Sequence, residues 1–134
     1  MIVVDTSALI EYYRPSGDPR VREAVAEVVA ADRLAINGII QVEILAFAHS
    51  EEERRALVSD FRAFHRLSLE DRHFDLASDL GFQLRQRGTT VPATDLIVAA
   101  SAIRATAPLY HLDGHFDRIA ETSDLDARNL SEGH

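Results

Sequence analysis

Four acidic residues stand where a charge needs a reason: Asp5, Glu43, Asp95 and Asp113. Asp5 ends the apolar run Ile2-Val3-Val4 and is followed by the hydroxyls of Thr6 and Ser7. Glu43 interrupts Ile39, Ile40, Val42, Ile44, Leu45 and Phe47; on a helix it shares a side with Ile39, Ile40 and Phe47. A glutamate buried there without a partner takes up a proton or destabilises the fold. Asp95 follows Pro92 at the head of a small-residue apolar stretch, and Asp113 precedes Gly114 after Leu109-Tyr110-His111-Leu112. Each has a plain structural explanation: a helix cap for Asp5, a buried Glu–Arg pair for Glu43, dipole complementarity for Asp95, turn chemistry for Asp113. Together they suggest more. Carboxylates gathered in one place repel unless a cation neutralises them. Hard oxygen donors suit Mg²⁺ or Mn²⁺, and such a site polarises water for attack on a phosphodiester.

The composition narrows the classes. There is no cysteine, so no disulfide framework and no thiolate zinc site. All 14 basic residues are arginine against 22 acids, for a net charge of −8. The absence of lysine rules out a P-loop ATPase and a response-regulator receiver. A haloacid-dehalogenase-type phosphatase needs a second aspartate two residues after Asp5, where Ser7 stands. An acidic chain is an unusual nucleic-acid partner unless its acids recruit cations and arginines line the rim. The plainer reading of the acidity is solubility. At 134 residues a single domain spanning 1–134 is expected, and with no apolar run of membrane-spanning length, a soluble, cytoplasmic protein.

The acids must be positioned by the elements around them. Ile2–Val4 reads as a strand. Asp18-Pro19 opens a helix with Val21, Ala24, Val25, Val28 and Val29 at helical spacing to about Ala31, and Leu34-Ala35-Ile36 is a second strand. Residues 39–48, apolar on nearly every side, read by their length as a buried helix, with a strand as the alternative. Ser50-Glu51-Glu52-Glu53 is a capping box ahead of Leu57, Val58, Phe61 and Phe64. Ser68-Leu69-Glu70-Asp71 opens a helix whose apolar face is Phe74, Ala77, Leu80 and Leu84, ending at Gly88. A helix from Ala93 to about Ala105 follows Pro92, then a strand at Leu109–Leu112, one helical turn around Phe116 and Ile119, and a last strand near Leu125–Arg128. Short apolar strands alternating with helices predict an α/β fold with a parallel sheet covered on both faces. In such sheets sites form at the carboxyl ends of strands, where Asp5 and Asp113 stand. His49, His65 and His73 are expected on helix surfaces or ends, and His115 and His134 are given no role. His111 is either a packed strand histidine or one that faces the site; Asp117 either shares a helical side with Asp113 or is a surface charge.

The motifs taken in order resemble those of PIN-domain ribonucleases, specifically the VapC-type toxins of type II toxin–antitoxin pairs. Val3-Val4-Asp5-Thr6-Ser7-Ala8-Leu9-Ile10 is similar to their opening motif, and the segment from Pro92 to Ala102 to their central one. Leu109 to Ile119 is similar to the closing motif, and Glu43 stands where the helical glutamate belongs. The resemblance implies a three-layer α/β/α fold with a central, mainly parallel sheet. It implies an acidic quartet of Asp5, Glu43, Asp95 and Asp113 holding Mg²⁺ or Mn²⁺. Asp5 and Asp95 would be the direct ligands, with Glu43 and Asp113 bound directly or through water and Thr6 supporting Asp5. His111 departs from the threonine or serine often found two residues before the last acid. The resemblance further implies a homodimer and a cognate VapB-type antitoxin whose C-terminal segment blocks the site. Arg14 and Arg20, after the first helix, are candidates for flanking RNA phosphates, although solvated surface arginines come first as a reading.

The expected function is therefore hydrolysis of RNA phosphodiester bonds by a metal-activated water, in the toxin component of a toxin–antitoxin pair. The alternatives are a PIN-like DNA nuclease and a non-catalytic protein-binding module. The catalytic acids do not distinguish RNA from DNA. A complete quartet argues against the pure binding module.

Overall fold

The computed structural model of the chain describes residues 1–131; His134 lies outside them. Strands β1 (Ile2–Val4), β2 (Leu34–Ile36), β3 (His65–Arg66), β4 (Leu109–His111) and β5 (Ala127–Asn129) form one sheet in the order β3-β2-β1-β4-β5. Every pairing is parallel. Val3 pairs with Ala35 on one side and Leu109 on the other, so β1 is the central strand. Ile2–Val4, Leu34–Ile36 and Leu109 are all buried, as parallel strands covered on both faces require.

The order reverses direction at β1, giving a topological switch point between β1 and β4. There the loops leaving neighbouring strands diverge to opposite faces and open a crevice. Asp5 follows β1 and Asp113 follows β4 on its two sides, separated from His111 by Leu112.

The helices are α1 (Thr6–Tyr13), α2 (Pro19–Ala30), α3 (Gly38–Leu45), α4 (Glu51–Ala63), α5 (Asp71–Gln86), α6 (Ala93–Ala105) and α7 (Gly114–Glu121). They complete a three-layer α/β/α arrangement, with Leu9, Val25, Ile40, Phe116 and Ile119 closing on the sheet. Helix α6 packs closely on α5: a Cβ placed at Gly81 would meet Leu96 Cδ1 at 2.8 Å. Its run of Ala99, Ala100 and Ala102 is buried, which explains its small residues.

Several expectations need correction. Helix α3 is not buried all round; Val42 is 62% exposed, and Phe47, just beyond the helix, is 77% exposed. His65 lies in the edge strand β3, where two exposed residues gave no apolar signal. His73 is buried, and its Nδ1 accepts a hydrogen bond from the Glu70 N–H as the third residue of a capping box, while Phe74, expected on the apolar face, is exposed. The turn around Phe116 is a full helix of 8 residues, and the last strand starts at Ala127 rather than Leu125.

Candidate active site

Asp5 caps α1 itself. Its Oδ2 accepts both the Ser7 N–H at 3.1 Å and the Ser7 hydroxyl at 2.8 Å. The carboxylate is thus the cap of α1, neither Thr6 nor Ser7 taking that place, and it is almost fully buried. Ser7 Oγ in turn accepts the Leu112 N–H at 3.0 Å, which ties the tip of β1 to the segment leaving β4. Thr6 supports Asp5 through its backbone N–H alone. Its hydroxyl donates to Glu43 Oε1 at 2.7 Å, and the Ser7 hydroxyl serves Asp5. A small hydroxyl residue two after a strand-ending aspartate was the available signal for that role.

Glu43 reaches the site because α3 starts at the right place. Asn37 caps α3, its Oδ1 accepting from the N–H groups of Ile39 and Ile40. The fully buried Asn37 amide donates to Ser101 Oγ on α6 at 3.1 Å. One side chain therefore fixes the helix carrying Glu43 against the helix carrying Asp95. Asp95 sits in the first turn of α6, whose cap position is Pro92 with no side-chain cap, so Thr94 does not cap it. Asp113 caps α7, its Oδ1 accepting the His115 N–H at 2.9 Å.

The carboxylates interact. Burial pushes the Asp5 carboxyl up to about 6, with the nearby Asp95 charge adding to it and the Ser7 bonds opposing it. Burial also raises Asp95, opposed by its hydrogen bond to His115 and reinforced by the charges of Asp113 and Glu43. All four acids therefore belong to one electrostatic group. None of the salt bridges among the described residues brings an arginine to Asp5, Glu43, Asp95 or Asp113. The buried Glu–Arg pair is thus replaced, at Glu43, by a hydroxyl that leaves the charge uncompensated.

His115 stands in the middle of this group, a placement the sequence reading missed. Its Nδ1 is 2.9 Å from Asp95 Oδ2 and 3.2 Å from Asp113 Oδ1. Donor atoms of Asp95, Asp113 and His115 lie within 4.8 Å of one another, compatible with one ion. The donor set fits a divalent cation: hard oxygens in excess, elevated carboxyls, and no lysine or arginine in place of the metal.

His111 is a packed strand histidine, fully buried against Phe116 with ring centroids 5.2 Å apart. Its Nδ1 accepts the Asp113 N–H at 3.1 Å. Its Nε2 makes no hydrogen bond among the described residues, with Asp117 Oδ1 3.4 Å away. Burial lowers its pKa, against the pull of Asp117 and Asp113. Asp117 is held from the other side by the Asn129 amide on β5 at 2.9 Å. His111 and His115 are four residues apart, a spacing that passes for a zinc motif. They do not form a helical pair, since one lies in β4 and the other in α7, and the first ring is engaged with the backbone of Asp113. Arg14 lines an apolar groove beside Glu43 and pairs with Glu11 at 3.2 Å. Arg20 lines a different groove with Tyr110, Arg128 and Asn129, so the two arginines do not converge.

Comparison with known proteins agrees with this geometry. Residues 2–122 match the PIN domain. The chain is 34% identical to Ribonuclease VapC11 of Mycobacterium tuberculosis, over 97% of this chain and 99% of that protein. The VapC ribonuclease Mb1587 of Mycobacterium bovis matches to the same extent. Among solved structures, FitAcB from Neisseria gonorrhoeae superposes with a TM-score of 0.80 at 19% identity, covering 98% of this chain and 99% of that one. VapBC-1 from nontypeable Haemophilus influenzae gives 0.79 at 23%, covering 98% and 100%. The sequence match spans the four acids and the structural match the sheet that presents them: this chain belongs to the PIN-domain family, among its VapC ribonucleases.

Proposed function

We propose that the protein is a metal-dependent endoribonuclease, the toxin of a type II toxin–antitoxin pair, with Asp5, Glu43, Asp95 and Asp113 as its catalytic acids. The observation that carries this reading is the gathering of Asp95, Asp113 and His115 at one spot beside the switch point between β1 and β4, with the charges of Asp5 and Glu43 felt at Asp95 and no arginine paired to any of the four acids. Asp5 and Asp95 would hold Mg²⁺ or Mn²⁺, with Asp113 and Glu43 completing the site. A bound divalent cation supplies charge neutralisation at the phosphate and an acidified water for hydrolysis. The chain's own part is positioning. Ser7 orients Asp5, Thr6 orients Glu43, and Asn37 with Ser101 fixes the helices that carry Glu43 and Asp95 against each other. The ribonuclease names of the full-length relatives support RNA as substrate, and action on cellular RNA supports a cytoplasmic location.

The expected antitoxin has a surface to meet. Beside Glu43 lies a groove lined by Ile10, Tyr13, Ile44, Phe47 and Leu57. An apolar peptide seated there would reach the acids and block them. A homodimer is proposed on the exposed Phe74 and Phe82 and the family resemblance.

The test is cleavage of structured RNA and of single-stranded DNA by the protein freed of antitoxin, with Mg²⁺ or Mn²⁺ and with EDTA. Metal-dependent cleavage of RNA is the expected result. Cleavage of DNA alone would favour the DNA nuclease, and no turnover on either would favour the binding module.

A further inference from the structure

We propose that His115 is a nitrogen ligand of the metal at this site, and that the site accordingly prefers Mn²⁺ over Mg²⁺. The inference rests on the metal-dependent reading above and adds to it a residue and a selectivity.

Donors bonded to a small divalent cation at about 2.1 Å lie about 3 Å apart when they occupy neighbouring vertices of an octahedron. His115 Nδ1 stands 2.9 Å from Asp95 Oδ2 and 3.2 Å from Asp113 Oδ1. Both separations are those of neighbouring ligands, and the three donors fall within a sphere that one ion spans. The ring is also aimed by its backbone. Its own N–H is bonded to Asp113 Oδ1, so the residue that caps α7 fixes the start of the helix and the position of the imidazole together. His115 is partly exposed, with 41% of its side chain open, beside Thr89, Thr90 and Arg118. It is therefore not a packing residue: Phe116 and Ile119 supply the buried side of α7. A core role accounts for His111 and His73 but not for His115, whose ring contacts are the carboxylates of Asp95 and Asp113.

Donor chemistry sets the selectivity. Mg²⁺ takes oxygen almost exclusively and dehydrates reluctantly; Mn²⁺ shares the preference for oxygen but, as a first-row transition ion, is the softer of the two and accepts an imidazole in its shell. Replacing one oxygen vertex by nitrogen therefore penalises Mg²⁺ more than Mn²⁺. Four carboxylates alone would show little of this preference.

The test uses the full-length protein and the metals alone. Mn²⁺ is titrated into wild type, His115→Ala and His115→Asp, bound ion is measured by electron paramagnetic resonance, and Mg²⁺ affinity is obtained by competition. Pulsed resonance on the bound Mn²⁺ reports directly bonded imidazole nitrogen. The expected result is nitrogen coupling in wild type that disappears in His115→Ala. Mn²⁺ affinity should fall about 10-fold in that variant while Mg²⁺ affinity changes by less than about 3-fold. His115→Asp should restore affinity and shift the preference towards Mg²⁺. Bound Mn²⁺ with no nitrogen coupling in wild type, or coupling that persists in His115→Ala, would overturn the role of His115 and leave the metal reading standing. Failure of wild type to bind either ion would overturn both.

Discussion

Asp5 carries two obligations that pull against each other. It caps α1 through Ser7, which favours its charge, and it is 5% exposed with Asp95 nearby, which opposes it. Burial wins, and the carboxyl titrates near 6 rather than 3.8. Between those two values the native state holds a proton that the unfolded chain has released. Stability contributed by this group is therefore fully present at low pH and is lost as the pH rises towards 6. Each tenfold is worth about 1.4 kcal/mol, which makes the cost at neutral pH on the order of 3 kcal/mol. Asp5→Asn keeps an acceptor for Ser7 and removes the charge. In the metal-free protein its advantage over wild type by urea denaturation should be near zero around pH 4 and grow to its full size by pH 7. A difference between the two proteins that does not change over that range would refute the assignment of the cost to Asp5.

At the scale of elements, the sheet and the helices hold the acids through a few polar contacts that cross between them. Ser7 links β1 to the exit of β4, and Asn37 links α3 to α6. Ser7→Ala leaves the Leu112 N–H without its acceptor and Asp5 without its hydroxyl donor; it should cost about 1–2 kcal/mol by urea denaturation and slow cleavage without abolishing it. Stability equal to wild type would show that the β1–β4 tie is dispensable. The strands that build this corner were legible in the sequence because Ile2–Val4 and Leu34–Ile36 are continuous apolar runs between turn signals, and helix α2 because Asp18-Pro19 announces it. Strand β3 was not, since His65 and Arg66 at the sheet edge are exposed and carry no apolar pattern. Helix α3 was legible as a helix but not in its burial: its apolar residues surround it, and periodicity says nothing about which of them a groove leaves open. The polar partners were the least legible part. Thr6 and Ser7 are neighbours with similar hydroxyls, and only their placement on the first turn of α1 decides that one serves Glu43 and the other Asp5. His115 was invisible for the same reason, because its meaning depends on two carboxylates, one of them 20 residues away along the chain.

For the whole molecule, the fold explains how a chain of net charge −8 can act on a polyanion. Its candidate site acids carry no arginine partner, and cations bound among them would invert the local potential, while the remaining surface offers arginines such as Arg118 near Asp113 and Arg14 near Glu43. On the proposed function, RNA affinity would then follow metal occupancy more than net charge. The most direct test of the account is the rate of RNA cleavage by wild type and Asp5→Asn in saturating Mn²⁺, with both proteins shown to be folded by their thermal transitions. The account predicts wild-type cleavage that stops on addition of EDTA, and a folded Asp5→Asn variant at least about 100-fold slower although, without metal, no less stable than wild type. Cleavage by Asp5→Asn at the wild-type rate, or wild-type cleavage undiminished in EDTA, would contradict it.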